Sequence, residues 1–412
     1  MSLARTLDVR FKATGTRFFI YPQPKKLTGF SKPETVYINK VPGTIKPGPE
    51  DDRIYVVDPE VKYPYRDEET GRLRSRPPFR DARYPPAEPD AAGHFDHIKP
   101  GTSSFPSVTV YAIVKCALEI WEGYFGRQLP WHFLNKTNRR LEVITRVEAA
   151  NAWSGDGYLE FGYTSDSNLF CKNFDVVAHE MGHLIGWAVV GKPARRSMTY
   201  RANDEACADL MAMVASLHFE AMVDHLLRHT QGNLFSKNEL SLVGEMVPSY
   251  RKAYNSNRMS TAKKQVSRLK KAHPREYANR YKYILSRPFT GGAFDVLVRI
   301  YEQGLIDRGV ISQDLAKRSY RARGRKIAGV RREFRRHFKR RRERFTSALL
   351  DARDYFGVLL ARALDRTPMK ARSHAAVGAN MIAADVELSG GRYGPWIREC
   401  FERREILRPT TR

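Results

Sequence analysis

With 412 residues, 42% hydrophobic and 11% aromatic, the chain can bury a sizeable core in two or three structural units, and its composition excludes a disordered protein. No apolar run reaches the length of a membrane-spanning helix, and the opening MSLARTLDVRFKATGTRFFIYPQ lacks the apolar stretch of a secretory signal. A cytoplasmic protein without a membrane span is expected, with export by a non-Sec route left open.

Residues 1–100, with VPGTIKPGPEDDR and RSRPPFRDARYPPAEPDAAG, read as an extended Pro/Gly-rich arm interrupted by short strand-like pieces such as RIYVVDPEV. Order begins near Ser104. Tyr111, Val114, Leu118, Trp121 and Phe125 recur at helical spacing, and Gly126 is placed to end that helix. RRLEVITRVE (139–148) and GYLEFGYT (157–164) read as strands joined by AANAWSGD. DVVAHEMGHLIGW (175–187) reads as a helix apolar almost all round, and therefore buried. From Asp204 onward the pattern is mostly helical. An α+β fold is expected, with an α/β lobe over 101–190 ending in the histidine helix and a mainly helical lobe over 191–412. Cys116, Cys171, Cys207 and Cys400 form no C-x-x-C pair and read as buried reduced thiols, two disulfides remaining formally open.

The net charge of +26 is unevenly spread: 15 Lys/Arg face two acids between Lys317 and Arg344, a net +13 in 28 residues. Such a segment attracts an acidic or nucleic-acid partner, or is simply a solvated helix face.

The chemistry concentrates in the histidine helix. Positions i and i+4 share a helix face, so His179 and His183 can turn both imidazoles on one ion. Glu180 lies about 100 degrees round the axis, near the ion without aiming at it, which suits a general base. Two imidazoles on a buried helix need something to satisfy them. NDEACADL supplies Glu205, 22 positions after His183, and Asp209 a turn later. Glu205 completes a His-His-Glu set with one position left for water, the pattern of catalytic zinc, and Asp209 can take a ligating histidine's second ring N–H.

With DVVAHEMGH and NDEACAD in place, the chain resembles the thermolysin-like zinc peptidases of the gluzincin clan over roughly residues 105–300. The resemblance implies a thermolysin-like arrangement with the zinc helix between the lobes. It implies His179, His183 and Glu205 as Zn2+ ligands, Glu180 as base, Asp209 as the partner of His179, and a peptide or protein substrate. It also implies that Asn151 and Ala152, in NAW, hold the substrate backbone by adding a strand. The family's oxyanion-donating tyrosine and histidine are matched imperfectly, by Tyr200 and by Arg287. Asp175 matches a family calcium ligand, but Leu226 and His229 stand near places where further acids belong, so no calcium cluster is expected. His94 and His97 read as surface histidines; His374 could lie near the groove or at a solvated helix end.

Two rivals remain. One is a polyanion- or nucleic-acid-associated protein whose zinc site does no proteolysis. In RARGRKIAGVRREFRRHFKRRRERF aromatics interleave with arginines, although Phe334, Phe338 and Phe345 fall at a spacing suited to docking on a core. The other is a pseudoenzyme that keeps the ligands.

Overall fold

The computed structural model describes residues 12–23, 29–67, 70–134, 139–165, 168–236, 238–242, 258–322 and 325–409. These fall into two compact units, the first ending at Ala188 and the second beginning at Val189. The protein is mixed α/β and predominantly helical.

In the first unit, β1 (Thr16–Ile20) and β2 (Glu34–Ile38) form an antiparallel pair with Thr16 opposite Ile38. A four-stranded sheet follows in the order β3-β4-β6-β5, from β3 (Ile54–Val57), β4 (Leu141–Val147), β5 (Ala152–Gly155) and β6 (Tyr158–Gly162). β3–β4 and β4–β6 run parallel, and β5 closes one edge antiparallel to β6. Helix α1 (Phe105–Phe125) packs on β1, β3 and β4. It opens on Pro106, whose missing N–H costs nothing in a first turn, and stops at Gly126, left-handed at φ 68°. Tyr111, Leu118 and Trp121 are buried along it. Each such side chain contributes roughly 1.5–3 kcal/mol by leaving water.

The first hundred residues, expected as an arm with little core of its own, supply three of these strands and bury Phe18, Ile38, Ile54, Tyr65 and Phe95. Two acids on the sheet explain the docking. Glu142, fully buried on β4, accepts hydrogen bonds from the Tyr55 and Tyr65 hydroxyls and the Phe79 N–H. Glu160 on β6 accepts from Lys62 and the Tyr65 N–H. Neither carboxylate could stay buried without these partners. His94, expected on the surface, is buried; its Nδ1 accepts the Arg17 N–H at 3.2 Å, while His97 is exposed as expected. Helix α2 (Phe174–Val190) carries the histidines.

The second unit is helical: α3 (Met198–Ser216), α4 (Glu220–Thr230), α5 (Met259–Ala272), α6 (Pro274–Asp307), α7 (Gln313–Arg321), α8 (Lys326–Asp365), α9 (His374–Ser389) and α10 (Gly394–Arg403). The long α6 packs against α3, α5, α8 and α10. Gly292 lets α10 approach, since an added Cβ would meet Phe401 at 3.0 Å. Arg404 and Asp295 form a buried pair at 2.8 Å. In α8 the apolar positions Val330, Phe334, Phe338 and Phe345 are buried, while Arg331, Arg332, Arg335 and Arg336 are exposed. The docking spacing therefore holds. All four cysteines are buried and none is in a disulfide. Among the described residues no single helix is long and apolar enough to cross a membrane.

Candidate metal centre

Helix α2 begins where the Asn173 side chain accepts the Asp175 N–H at 3.0 Å. Asp175 adds negative charge to the helix's positive N-terminus and accepts the Gln23 amide at 2.9 Å. Val176, Val177, Ala178, Met181, Leu184 and Ile185 are buried, so tertiary packing overrides the weak helix propensity of the valines.

His179 and His183 stand one turn apart, their rings perpendicular with centroids 4.9 Å apart. Glu180 and His183 are buried and His179 half-buried, and one ligand atom from each of the three lies within 4.8 Å of the others. This spread suits a single small cation, and imidazole nitrogen with carboxylate oxygen is a donor set that fits zinc. One turn on, Trp187 stacks on His183 at 5.7 Å and receives the His132 ring edge-on at 5.2 Å. His132 Nε2 lies 2.9 Å from Asp156 Oδ1. Neither Trp187 nor His132 was anticipated. The ladder His179, His183, Trp187 is nevertheless plain in HEMGHLIGW once ring stacking is considered alongside ligation.

Asn151 and Ala152 lie at the start of the edge strand β5, Asn151 half-buried and Ala152 buried. The Gly162 N–H donates to the Asn151 carbonyl at 2.8 Å, so residue 151 turns its backbone toward β6. Antiparallel pairs alternate, and Ala152 and Ser154 therefore direct their N–H and C=O groups away from β6, toward the open edge.

In the second unit, α3 is capped by Ser197, whose hydroxyl accepts the Tyr200 N–H at 3.1 Å. Glu205 is 4% exposed, and its Oε1 lies 2.7 Å from Lys282 Nζ on α6. Burial opposes the lysine's charge, but Glu205 and Tyr283 outweigh it and hold the ammonium pKa above its usual value. The sequence offered no sign of Lys282 beyond a general one: a carboxylate in an apolar helix needs a cation. Asp209 is half-buried one turn beyond Glu205.

Tyr200 is buried, its hydroxyl pKa pushed up to about 12 by burial. It donates to the Gly191 carbonyl at 2.6 Å and accepts from Arg372 at 3.2 Å. Arg372 also pairs with the buried Asp204 at 3.1 Å. Arg287 is half-buried on α6, five residues past Lys282. His374 is buried rather than at a solvated helix end; its Nε2 lies 2.9 Å from the Leu285 carbonyl, and burial lowers its pKa to about 4. Leu226 is fully buried in the core face of α4.

No protein-family model matches the chain. No curated protein matches it. Among solved structures, the precursor of protealysin, a metalloproteinase from Serratia proteamaculans, is similar over 90% of this chain and 91% of that chain, at 10% identity and a TM-score of 0.47. A likeness of that degree does not establish family membership.

Proposed function

We propose that the chain is a zinc-dependent peptidase. The observation that carries the reading is the convergence of His179, Glu180 and His183 on a buried helix, with ligand atoms within 4.8 Å of one another. His179 and His183 supply two ligands, and Glu205 is assigned as the third. Its burial supports this role, because a buried carboxylate must be met by cations or a metal, and Lys282 meets Oε1 on one side. Asp209 orients a ligating imidazole through its second ring nitrogen. When bound, zinc polarises the scissile carbonyl and lowers the pKa of water toward 7.

Glu180 takes a proton from the attacking water and hands it to the leaving amide nitrogen, so that the departing group leaves as a neutral amine. The backbone of Ala152, at the open edge of β5, binds an extended substrate as an added strand. Tyr200 or Arg287 is assigned to steady the oxyanion; the Tyr200 hydroxyl also donates to the Gly191 carbonyl. Arg287 remains charged at any working pH. The exposed arginines of α8 favour an accessory polyanion contact that reads phosphate alone, because the interleaved phenylalanines are turned inward and unavailable for base stacking.

The test is digestion of a peptide library by the full chain, first as prepared, then after chelation, then after zinc is restored. Hydrolysis lost and regained with zinc is expected. Hydrolysis indifferent to chelation, or absent from zinc-loaded protein, overturns the reading.

A further inference from the structure

A second histidine pair lies in the helical unit, wholly outside the site just described. His225 and His229 on α4 are four residues apart, so their rings leave one side of the helix with centroids 5.7 Å apart. The helix stops at Gln231, left-handed at φ 56°, and the chain returns as a short 3-10 helix, Glu239–Leu242. Its first residue places Glu239 Oε1 3.0 Å from His225 Nε2 and 2.7 Å from His229 Nδ1. The ligand atoms of all three residues lie within 4.8 Å of one another.

We propose that His225, His229 and Glu239 form a second divalent-metal site, of the zinc class, which fastens the 239–242 turn to α4. The donor set selects the metal. Two imidazole nitrogens and one carboxylate oxygen suit zinc or cobalt, whereas calcium takes six to eight oxygens. Tetrahedral coordination at about 2.0–2.2 Å sets the donor atoms about 3.3 Å apart. The observed separations of 2.7 and 3.0 Å therefore need only a small opening, and His229, with 51% of its side chain exposed, is free to swing.

The surrounding charges permit a cation. Arg228 and Arg342 both pair with Asp224, and Arg331 donates to the His229 carbonyl.

This site stands apart from the peptidase reading, and the test separates them. The full chain carrying His179→Ala and His183→Ala is stripped of metal and titrated with Co2+, followed by visible absorption and by metal content after gel filtration. One Co2+ per chain is expected. Adding His229→Ala, or Glu239→Gln as a shape-preserving variant, should weaken that binding by more than about 100-fold, since even groups behind a ligand are worth 10–100-fold. Circular dichroism melts of the metal-free variants should coincide, which keeps a folding defect from imitating the loss. No Co2+ bound by the parent double variant, or binding unchanged by both additional substitutions, overturns the proposal and leaves a hydrogen-bonded clamp of two histidines on one carboxylate.

Discussion

Lys282→Met tests whether Glu205 faces the metal, because the substitution keeps the apolar stem and deletes the ammonium 2.7 Å from the carboxylate. At that separation and an effective dielectric of 20 the attraction is about 6 kcal/mol. The lysine side chain is 29% exposed and its own desolvation cost disappears with it, so the net loss in metal-free protein should be about 3 kcal/mol, the low end for breaking a buried pair. In a unit of this size that lowers the melting temperature by roughly 6–12 °C. With zinc bound at Glu205, the ion itself supplies the counter-charge, and the cost should shrink to about 1 kcal/mol, or roughly 2–4 °C. The raised pKa of Lys282 means that its contribution is fully present below the ordinary lysine value and fades only as pH rises beyond it. Melts by calorimetry at pH 7–8, with zinc and with chelator, therefore compare like with like. An equal drop under both conditions would refute the placement of Glu205 beside the ion.

Three further perturbations probe other parts of the account. Ala152→Pro removes one outward-facing N–H from the edge strand without touching the β5–β6 ladder; kcat/KM on peptides should fall about 10-fold, the worth of roughly one hydrogen bond, at near-constant melting temperature, and unchanged kcat/KM excludes strand addition there. Trp187→Leu removes the ring stacked on His183 at 5.7 Å, and competition against a chromophoric chelator should show zinc affinity reduced about 10-fold; equal affinity removes Trp187 from the metal's support. Glu302, 1% exposed, has its carboxyl raised by burial to about 8, so its contribution is fully present below pH about 4.5 and is lost as pH climbs toward 8. Glu302→Gln should gain on the wild type by on the order of 5 kcal/mol across that window, and a pH-independent difference would show that Glu302 is ionised in the folded protein throughout.

Local periodicity carried much of this structure. The buried faces of α1 and α2, the Gly126 stop, the strands at 141–147 and 158–162 and the inward phenylalanines of α8 all follow from spacing, because one helix turn or one strand pleat places those residues together. The first hundred residues were harder. Their strands are four or five residues long amid prolines and glycines, and what docks them is a set of long-range polar contacts, such as Lys62 and Tyr65 onto Glu160 and Glu142. No window of sequence contains both members of such a pair. Lys282 stayed hidden for the same reason, 77 residues beyond the carboxylate it meets. The second histidine pair was visible as HLLRH, but without Glu239 across a turn it was two residues on a helix. For Tyr200 the resemblance suggested an oxyanion donor, and the bond from its hydroxyl to the Gly191 carbonyl is a feature no spacing in the sequence shows.

The decisive measurement is turnover of a quenched fluorescent peptide by zinc-loaded Glu180→Gln beside the wild type, with bound zinc quantified in both preparations. Glutamine preserves the shape of the helix but cannot accept a proton, so metal content should be equal and kcat lower by about 100- to 10,000-fold, the span typical of a lost general base. A Glu180→Gln enzyme that holds its zinc and hydrolyses peptides at the wild-type rate would contradict the assignment of Glu180 as the base.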